Sequence, residues 1–378
     1  MRRSGLALLL LLAAVAGLAG GCSQEEKKDK DVAFSVRAEQ LRWRTIAPGG
    51  ESVVVVAVSK DREFVIRDGR QVGGKYDSVS RPVFSPDGRS LAFAARSEEK
   101  WSIIQDGEQV SAAYDKVGLP VFSPDGESLA FAAWSGGRAF VVRDGEPLAG
   151  RYRDINAVLF SPDGTSLAFE ASLGDRWVVI RDERQVGGAY DQIAGTALSA
   201  KGSLVFIALA GDKWLIVKDG APMGKALETG LMGEVRRPVF SPDGASLAFG
   251  VRCDEKAFIV LNGVRAGREY NGVGTPVFSA DSRSLAFAAA RGNRRFVVKD
   301  GSQVGAEYDE VATPLLSPDG RSVVCAARSG PTWWVIKDGE PQGKAFDEVS
   351  AIVAGKDGSQ FVFVGTRGND VSHVRLPW

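Results

Sequence analysis

The chain is short of the residues on which several classes of chemistry depend. Its 378 residues include one histidine and three cysteines, too few for most histidine-based catalysis, a cysteine-rich zinc site or a disulfide framework. The 47 basic side chains are balanced by 47 acidic ones, so the formal net charge is zero. A protein that binds nucleic acid through bulk charge would carry a basic excess. The composition therefore predicts no nucleic-acid partner and no bound metal or other cofactor.

Familiar catalytic motifs are also missing from the sequence. It contains no Gly-x-Ser-x-Gly nucleophile elbow, no His-Glu-x-x-His and no Cys-x-x-Cys. The single histidine, His373, is predicted to be a surface residue rather than a catalyst. We assign no catalytic residue, and two alternatives stay open: a glycosidase that uses carboxylates alone, and a calcium ion in a central channel.

The N-terminus has the features of an export signal. Arg2 and Arg3 precede the apolar run Leu6–Leu18, whose 13 residues are typical of a signal peptide and fall short of a membrane span. Small residues then lead to Cys22, a pattern that resembles the lipobox of bacterial lipoproteins. The resemblance implies that residues 1–21 are a lipoprotein signal peptide and that Cys22 carries the lipid. An ordinary cleaved signal with an incidental cysteine is the alternative.

The segment after the cysteine is predicted to be a tether. Ser23–Lys30 contains no apolar residue and cannot bury a side chain in a core. Residues 22–31 are therefore expected to link the lipid to a folded body over residues 32–378. Lipoprotein sorting favours aspartate after the cysteine for retention in the inner membrane, and Ser23 stands there instead. The resemblance thus implies an exported protein anchored in the outer membrane and facing the periplasm.

One phrase recurs along the body of the chain. Phe-Ser-Pro-Asp-Gly-x-Ser-Leu-Ala-Phe, or a variant of it, returns every 38 residues, except for a spacing of 42 between Ser199 and Ser241. Degenerate copies at residues 47–50 and 355–358 bring the number of repeat marks to nine. The serines of the better copies are Ser85, Ser123, Ser161, Ser199, Ser241, Ser279 and Ser317.

Each repeat contains four strand signals joined by turn signals, and no helical period follows the export signal. Large and small apolar residues alternate in Leu91–Ala94, so both faces of each small sheet must be buried. That requirement favours a β-propeller, whose blades pack face to face, over a β-solenoid. The sequence therefore predicts an all-β protein with four-stranded antiparallel blades. Its recurring phenylalanines should dominate stability, and they are Phe93, Phe131, Phe169, Phe249 and Phe287.

The number of blades is predicted to be eight or nine. Eight repeats are complete, and residues 351–378 supply two or three strands of a ninth. Val32–Val36 is expected to supply the missing outer strand and so remove the free edges. An eight-bladed ring with a capped edge is the alternative.

The recurring phrase resembles the WD40-like propeller repeat of TolB-type periplasmic proteins. Val-Val-x-Asp-Gly stands where WD40 units end in Trp-Asp, and the separate N-terminal domain of TolB is absent. The resemblance therefore implies a propeller and does not imply the role of TolB.

The connections between the second and third strands vary in sequence and should share one face of the ring. A rigid scaffold with variable loops is the usual way to build a binding surface, and Trp and Arg are enriched at interaction hot spots. The residues predicted to contact a protein partner are Arg96, Trp134, Arg252, Arg291 and Arg328. A charged, solvated surface without a partner is the alternative.

Two further features complete the predictions. The longer crossing at residues 227–237 holds Leu231 and Met232, a second candidate contact unless this loop folds back on its own blade. The recurring Tyr-Asp pair, as at Tyr76 and Asp77, is expected to be structural, with its ring between blades and its carboxylate on the crossing backbone.

These features predict a monomeric, lipid-anchored propeller of the cell envelope that acts as a non-catalytic protein-interaction or assembly scaffold. The alternative is an envelope hydrolase or ligand-binding propeller that uses carboxylates or a metal at the mouth of the channel.

Overall fold

The described part of the chain forms a closed ring of nine small antiparallel sheets. The computed structural model describes residues 32–36, 38–228, 234–350, 352–368 and 370–378, and these residues contain strands and no helix. The sheets follow one another along the chain as blades 1 to 9, beginning with residues 40–76. Val32–Ser35 pairs with Asp370–Pro377 and is the outer strand of blade 9, as predicted. The nine-bladed propeller is confirmed, and the eight-bladed alternative is wrong.

Each blade runs outward from a first strand at the centre of the ring to a fourth at its rim. The first strands of blades 1, 4 and 5 are continuous: Gln40–Ile46, Asp154–Phe160 and Gln192–Leu198. Those of the other blades are in two pieces: Ser78–Val79 and Val83–Phe84, Lys116–Val117 and Val121–Phe122, Glu234–Val235 and Val239–Phe240, Gly272–Val273 and Val277–Phe278, Glu310–Val311 and Leu315–Leu316, Glu348–Val349 and Val353–Ala354.

The remaining strands are more regular. The second strands are Val53–Ser59, Leu91–Ser97, Leu129–Ser135, Leu167–Leu173, Leu204–Ala210, Leu247–Cys253, Leu285–Arg291, Val323–Ser329 and Gln360–Arg367. The third strands are Arg62–Arg67, Lys100–Gln105, Arg138–Arg143, Arg176–Arg181, Lys213–Lys218, Lys256–Leu261, Arg294–Lys299, Thr332–Lys337 and Asp370–Pro377. The fourth strands of blades 1 to 8 are Arg70–Tyr76, Glu108–Gln109, Glu146–Pro147, Arg184–Tyr190, Ala221–Glu228, Val264–Tyr270, Ser302–Tyr308 and Glu340–Phe346.

Proline accounts for most of the interrupted first strands. A first strand pairs only with the second strand of its blade, so its other edge faces the axis of the ring. Proline lacks an N–H donor and is tolerated in strands at such an edge or at a bulge. Five of the six interrupted strands carry one at the break, and the residues are Pro82, Pro120, Pro238, Pro276 and Pro314.

The core consists of one apolar cluster at each contact between neighbouring blades. Between blades 1 and 2, Val54 and Val56 pack against Leu91 and Phe93, and Phe93 has no exposed surface. Between blades 2 and 3, Phe131 packs against the small side chains of Ala92 and Ala94. Large side chains thus fill the space left by small ones, as close packing requires. All five predicted phenylalanines are buried, and their contribution to stability stays a prediction.

The recurring Tyr-Asp pair, where it occurs, joins one blade to the next. The Tyr76 ring meets the Phe93 ring of blade 2 edge to face, with centroids 6.0 Å apart. The carboxylate of Asp115 accepts the amide of Gly136, 2.9 Å away, in the turn between the second and third strands of blade 3. The predicted packing of the ring is confirmed. The aspartate differs from the prediction, because its carboxylate holds the next blade's turn rather than the crossing backbone.

The Ser-Pro-Asp-Gly turns and the Asp-Gly hairpins consume their own polar groups. In blade 2, the Asp87 carboxylate accepts the Ser85 hydroxyl at 2.6 Å and the Arg89 amide at 3.0 Å. These bonds, the hydroxyl above all, lower the pKa of Asp87. Asp106 adopts a positive φ of 51° in its hairpin, and its carboxylate accepts the Leu91 amide at 2.9 Å. The recurring aspartates therefore hold turns together.

Two cysteines and the single histidine lie in strands. Cys253 ends the second strand of blade 6. Cys325 occupies the place of a ring phenylalanine in blade 8, and burial raises the pKa of its thiol to about 12. His373 lies in the third strand of blade 9, and burial lowers its pKa. Because it is partly buried, the prediction of a surface histidine is wrong.

Candidate functional site

The face predicted to carry variable loops carries tight turns instead. The second and third strands of blade 2 are joined by Glu98 and Glu99 alone, and both residues adopt positive φ, 51° and 69°. Blade 3 uses Gly136 and Gly137 in the same way. Two central residues with positive φ form a tight turn whose twist matches that of the flanking strands. The turns between second and third strands therefore vary in sequence but not in length.

The predicted partner residues of this face lie in strands, near the turns. Arg96, Trp134, Arg252 and Arg328 occupy one position, the second residue before the turn. Arg291 differs, because it is paired with Arg294 next to the turn. Side chains alternate between the faces of a strand, so Arg291 points to the opposite side of its sheet from the others.

Several of these side chains already have partners within the chain. The Trp134 indole N–H donates to Asp154 at 3.0 Å, and the Lys116 ammonium lies 4.2 Å from the centre of the Trp134 ring. Arg328 forms an ion pair with Glu310 at 3.2 Å. Arg291 pairs with Glu307 at 2.6 Å. The other two candidates of the sequence, Leu231 and Met232, lie outside the described residues.

A second surface, which sequence reasoning missed, lines the centre of the ring. Each first strand is bulged or interrupted near its middle. Two residues of each blade lie at this irregularity. We call these positions the channel wall. The described members, from blade 1 to blade 9, are Arg42 and Trp43, Ser80 and Arg81, Gly118 and Leu119, Asn156 and Ala157, Ala194 and Gly195, Arg236 and Arg237, Gly274 and Thr275, Ala312 and Thr313, and Ser350.

Blades 1 to 3 place three large exposed residues at one level of the channel wall. Trp43 is 42% exposed and Leu119 is 53% exposed, and Arg81 stands between them on blade 2. Arg81 and Leu119 border a cavity of about 270 Å³. Arg81 has no ion-pair partner among the described residues, and the described channel wall contains no carboxylate. This arc therefore presents an indole, an isobutyl group and an uncompensated positive charge.

Blade 4 contributes the most unusual residue of the molecule, Glu170. It lies in the second strand and is fully buried, although glutamate is rarely buried without a partner. In each of the other blades, one second-strand residue is equivalent to Glu170 because it pairs with the same position of the third strand. These residues are Val56, Ala94, Ala132, Ile207, Gly250, Ala288, Ala326 and Val364. Glu170 is the one ionisable side chain in this ring of apolar positions.

Side chains of the first strands hold the Glu170 carboxylate. The Asn156 amide donates to one oxygen at 2.7 Å, and the Thr196 hydroxyl of blade 5 donates to the other at 2.8 Å. Arg237 of blade 6 donates to the backbone carbonyl of Thr196 at 3.3 Å. Burial raises the pKa of Glu170, and the two hydrogen bonds and the Arg237 charge oppose that shift. Three consecutive blades are therefore linked at the channel wall.

The channel wall of blades 1 to 3 offers side chains suited to binding a partner. General acid-base hydrolysis of a glycoside uses two carboxyl groups, and Glu170 has no second carboxylate among its described contacts. The described residues also contain no group of three or more His, Cys, Asp or Glu side chains placed to hold a metal ion. Tryptophan and arginine, the residue types exposed at Trp43 and Arg81, are both enriched at interaction hot spots.

The pH dependence of stability should report the buried Glu170. Its pKa in the folded chain lies above the ordinary value of 4.5, so the folded state binds the proton more tightly than the unfolded state. The free energy of unfolding should therefore fall as the pH rises from about 4.5 through the folded-state pKa. Glu170→Gln removes this loss, and urea unfolding of both chains between pH 4 and 8 should show the variant gaining stability relative to the original chain as the pH rises.

Glu127→Gln is the matched control for this experiment. Glu127 is exposed in the turn of blade 3, so this change makes the same chemical substitution away from the buried site. A Glu170→Gln gain in stability that does not grow as the pH rises would contradict the assignment of a raised pKa to Glu170.

Comparison with known proteins adds little beyond the fold. No protein-family model and no curated protein matches the chain. A solved structure entitled "Structure of Dos1 propeller" is similar, with a TM-score of 0.49 and 10% sequence identity over 82% of this chain and 95% of that one. Because no family model matches, the resemblance to WD40-like and TolB-type repeats stays a prediction. Among the described residues, no helix has the length and apolar character needed to cross a membrane.

Proposed function

We propose that the chain is a lipid-anchored propeller of the bacterial cell envelope, related to WD40-like and TolB-type repeat proteins, that serves as a non-catalytic protein-interaction scaffold. The observation that carries this proposal is the difference between the recurring aspartates, which hold turns, and the exposed side chains of the channel wall. The recurring aspartates are occupied by turn amides, whereas the exposed Trp43, Arg81 and Leu119 are not needed to hold the blades. The partner surface is therefore placed on the channel wall of blades 1 to 3.

The anchoring part of the proposal rests on the N-terminal sequence. Cys22 follows a signal of the lipoprotein type, and nine residues, 23–31, separate it from the strand that begins at Val32, a span of ten Cα–Cα steps. An extended chain covers about 3.3–3.6 Å per residue, so the tether reaches roughly 35 Å from the lipid. A propeller on such a tether can meet partners at the membrane surface of the periplasm.

Site-specific crosslinking in the native envelope tests the proposal. A photoreactive phenylalanine analogue at Leu119, on the channel wall, should crosslink one defined protein. The same analogue at Val264, which is 70% exposed on the rim of blade 6, should not. Arg81→Ala should reduce the crosslink from position 119 at least tenfold, because a hot-spot arginine contributes about 2 kcal/mol to binding.

The outcomes separate a scaffold from an enzyme. Equal crosslinking from both positions, or a crosslink that is indifferent to Arg81→Ala, would contradict the placement of the partner surface. Turnover in a hydrolase screen that is abolished by Glu170→Gln would replace the scaffold by the catalytic alternative.

A further inference from the structure

An apolar groove opens between blades 6 and 7, on the face that carries the Ser-Pro-Asp-Gly-type turns. Its volume is about 380 Å³, within the range of small-molecule sites. Blade 6 contributes Leu261 and Tyr270, and blade 7 contributes Phe278, Leu285 and Phe287. The groove lies far along the ring from blades 1 to 3 and is independent of the proposed function.

The small side chain of Ala266 enlarges the groove. Ala266, in the fourth strand of blade 6, is paired with Ile259 of the third strand. At the same position blades 1, 4 and 7 have Val72, Val186 and Val304, which pack against the cluster formed with the next blade. Alanine lacks the two methyl groups that fill the corresponding space at those contacts.

The rim of this contact is also open. Between blades 7 and 8, the backbones of Gly305 and Gly339 are in close contact. A Cβ added to Gly339 would lie 2.8 Å from the Gly305 Cα. The corresponding residues of blades 6 and 7 are Gly267 and Gly301, and a Cβ on either would meet no atom within 4 Å. The two blades are therefore separated at the rim, where other blades touch.

The separation leaves apolar surface in contact with water. Leu285, the first residue of the second strand of blade 7, is partly exposed. Its counterparts in the other eight blades are all buried, and they are Val53, Leu91, Leu129, Leu167, Leu204, Leu247, Val323 and Phe361. An occupant that covered this surface would gain about 25 cal/mol for each Å² removed from water.

The charge at the groove selects the kind of occupant. Asp300 lines it, but this carboxylate accepts the Leu285 amide at 2.9 Å and pairs with Lys299 at 2.8 Å. Arg283 lines it too, and it has no ion-pair partner among the described residues. Its counterparts Arg89 and Arg321 pair with the aspartates of their own turns, Asp87 and Asp319. The groove therefore combines an apolar floor with one available guanidinium.

A sister groove between blades 2 and 3 has the opposite charge. It is smaller, about 230 Å³, and Glu127 stands at the position of Arg283. Val110 occupies the place of Ala266 there. The molecule thus carries two grooves of one kind that differ in depth and in the sign of their rim charge.

We propose that the groove between blades 6 and 7 binds a small apolar monocarboxylate, with its hydrocarbon body on Tyr270, Phe278 and Leu285 and its carboxylate on Arg283. The apolar body requires the space left by Ala266, and the anionic group pairs with Arg283, which forms no ion pair among the described residues although its charge also acts on the neighbouring Asp281 carboxylate. Glu127 excludes the same ligand from the sister groove.

Titration with a matched pair of ligands tests the proposal. The probes are 4-phenylbutyrate and its neutral counterpart 4-phenylbutanol, followed by ligand-observed NMR on the whole chain with Cys22→Ser, which avoids detergent. The acid should bind about fivefold more tightly than the alcohol, as expected for one partly exposed ion pair. Arg283→Glu should weaken the acid at least tenfold and the alcohol less than twofold.

Filling the groove provides the second variant. Ala266→Val introduces the side chain that blades 1, 4 and 7 already hold, so the chain should fold and should lose both ligands at least tenfold. Val264→Ala, on the exposed rim of blade 6 outside the groove, should change neither affinity. The proposal is overturned if Ala266→Val leaves both affinities unchanged, or if the acid and the alcohol respond equally to Arg283→Glu.

Discussion

Replacing Phe93 by alanine is expected to lower the free energy of unfolding by about 3–5 kcal/mol. The ring is completely buried between blades 1 and 2, where it contacts the Tyr76 ring and lies in the cluster that contains Val54 and Val56. Truncation removes the transfer free energy of the ring and leaves a cavity, because the small residues around it are fixed in strands and cannot close the gap. Urea unfolding followed by tryptophan fluorescence measures the change.

Two further substitutions frame this result. Phe93→Leu keeps most of the volume and should cost about 1–2 kcal/mol. Val264→Ala, on the rim of blade 6 where Val264 is 70% exposed, should change stability by less than about 0.5 kcal/mol. A Phe93→Ala loss no larger than that of Val264→Ala would mean that the aromatic ring of the propeller does not hold the blades together.

Removing the strand that closes the ring is expected to have an effect of similar size. A chain that begins at residue 37 lacks Val32–Ser35, so Asp370–Pro377 becomes an unpaired edge of blade 9. It also lacks Val36, a buried member of the cluster with Leu41 and Val371. We expect a loss of about 3–5 kcal/mol, from one buried valine at about 1.5–3 kcal/mol and from the lost strand pairing.

The matched control for this truncation is a chain that begins at residue 32. It lacks the signal and the tether but keeps the closing strand, and its unfolding should be unchanged. The shorter chain should also associate, since an exposed strand edge pairs with other chains, and sedimentation at increasing concentration would detect this. Identical stability of the two truncated chains would show that the N-terminal strand does not close the ring.

The architecture could be predicted from the sequence because it is repeated. A single copy of the phrase around Phe93 would not distinguish a strand from a buried helix, but regular spacing shows that the same unit is built again and again. The role of Val32–Val36 could be predicted because the last repeat lacks the outer strand that every other repeat has.

The candidate site could be predicted only in part, because it depends on departures from the repeat. Glu170 stands where the other repeats have alanine, glycine, valine or isoleucine, so an alignment of the repeats shows it as an exception. Its partner Thr196 belongs to another blade, and only the packing of blades brings the two within 2.8 Å. The tight geometry of the turns could not be predicted for a different reason. The positive φ of Glu98 and Glu99 is imposed by the hairpin and is not a preference of glutamate.

Closure of the ring at blade 9 has a consequence for how the molecule melts. In a linear array of repeats, the terminal unit is held by one neighbour and frays first. Here each blade is held by two neighbours, through contacts such as the Asp115 carboxylate on the Gly136 amide. Loss of any one blade must therefore disrupt two interfaces at once, and the ring has no terminal unit from which unfolding can spread. Its denaturation should be a single all-or-none event, with no populated state in which only some of the blades have come apart.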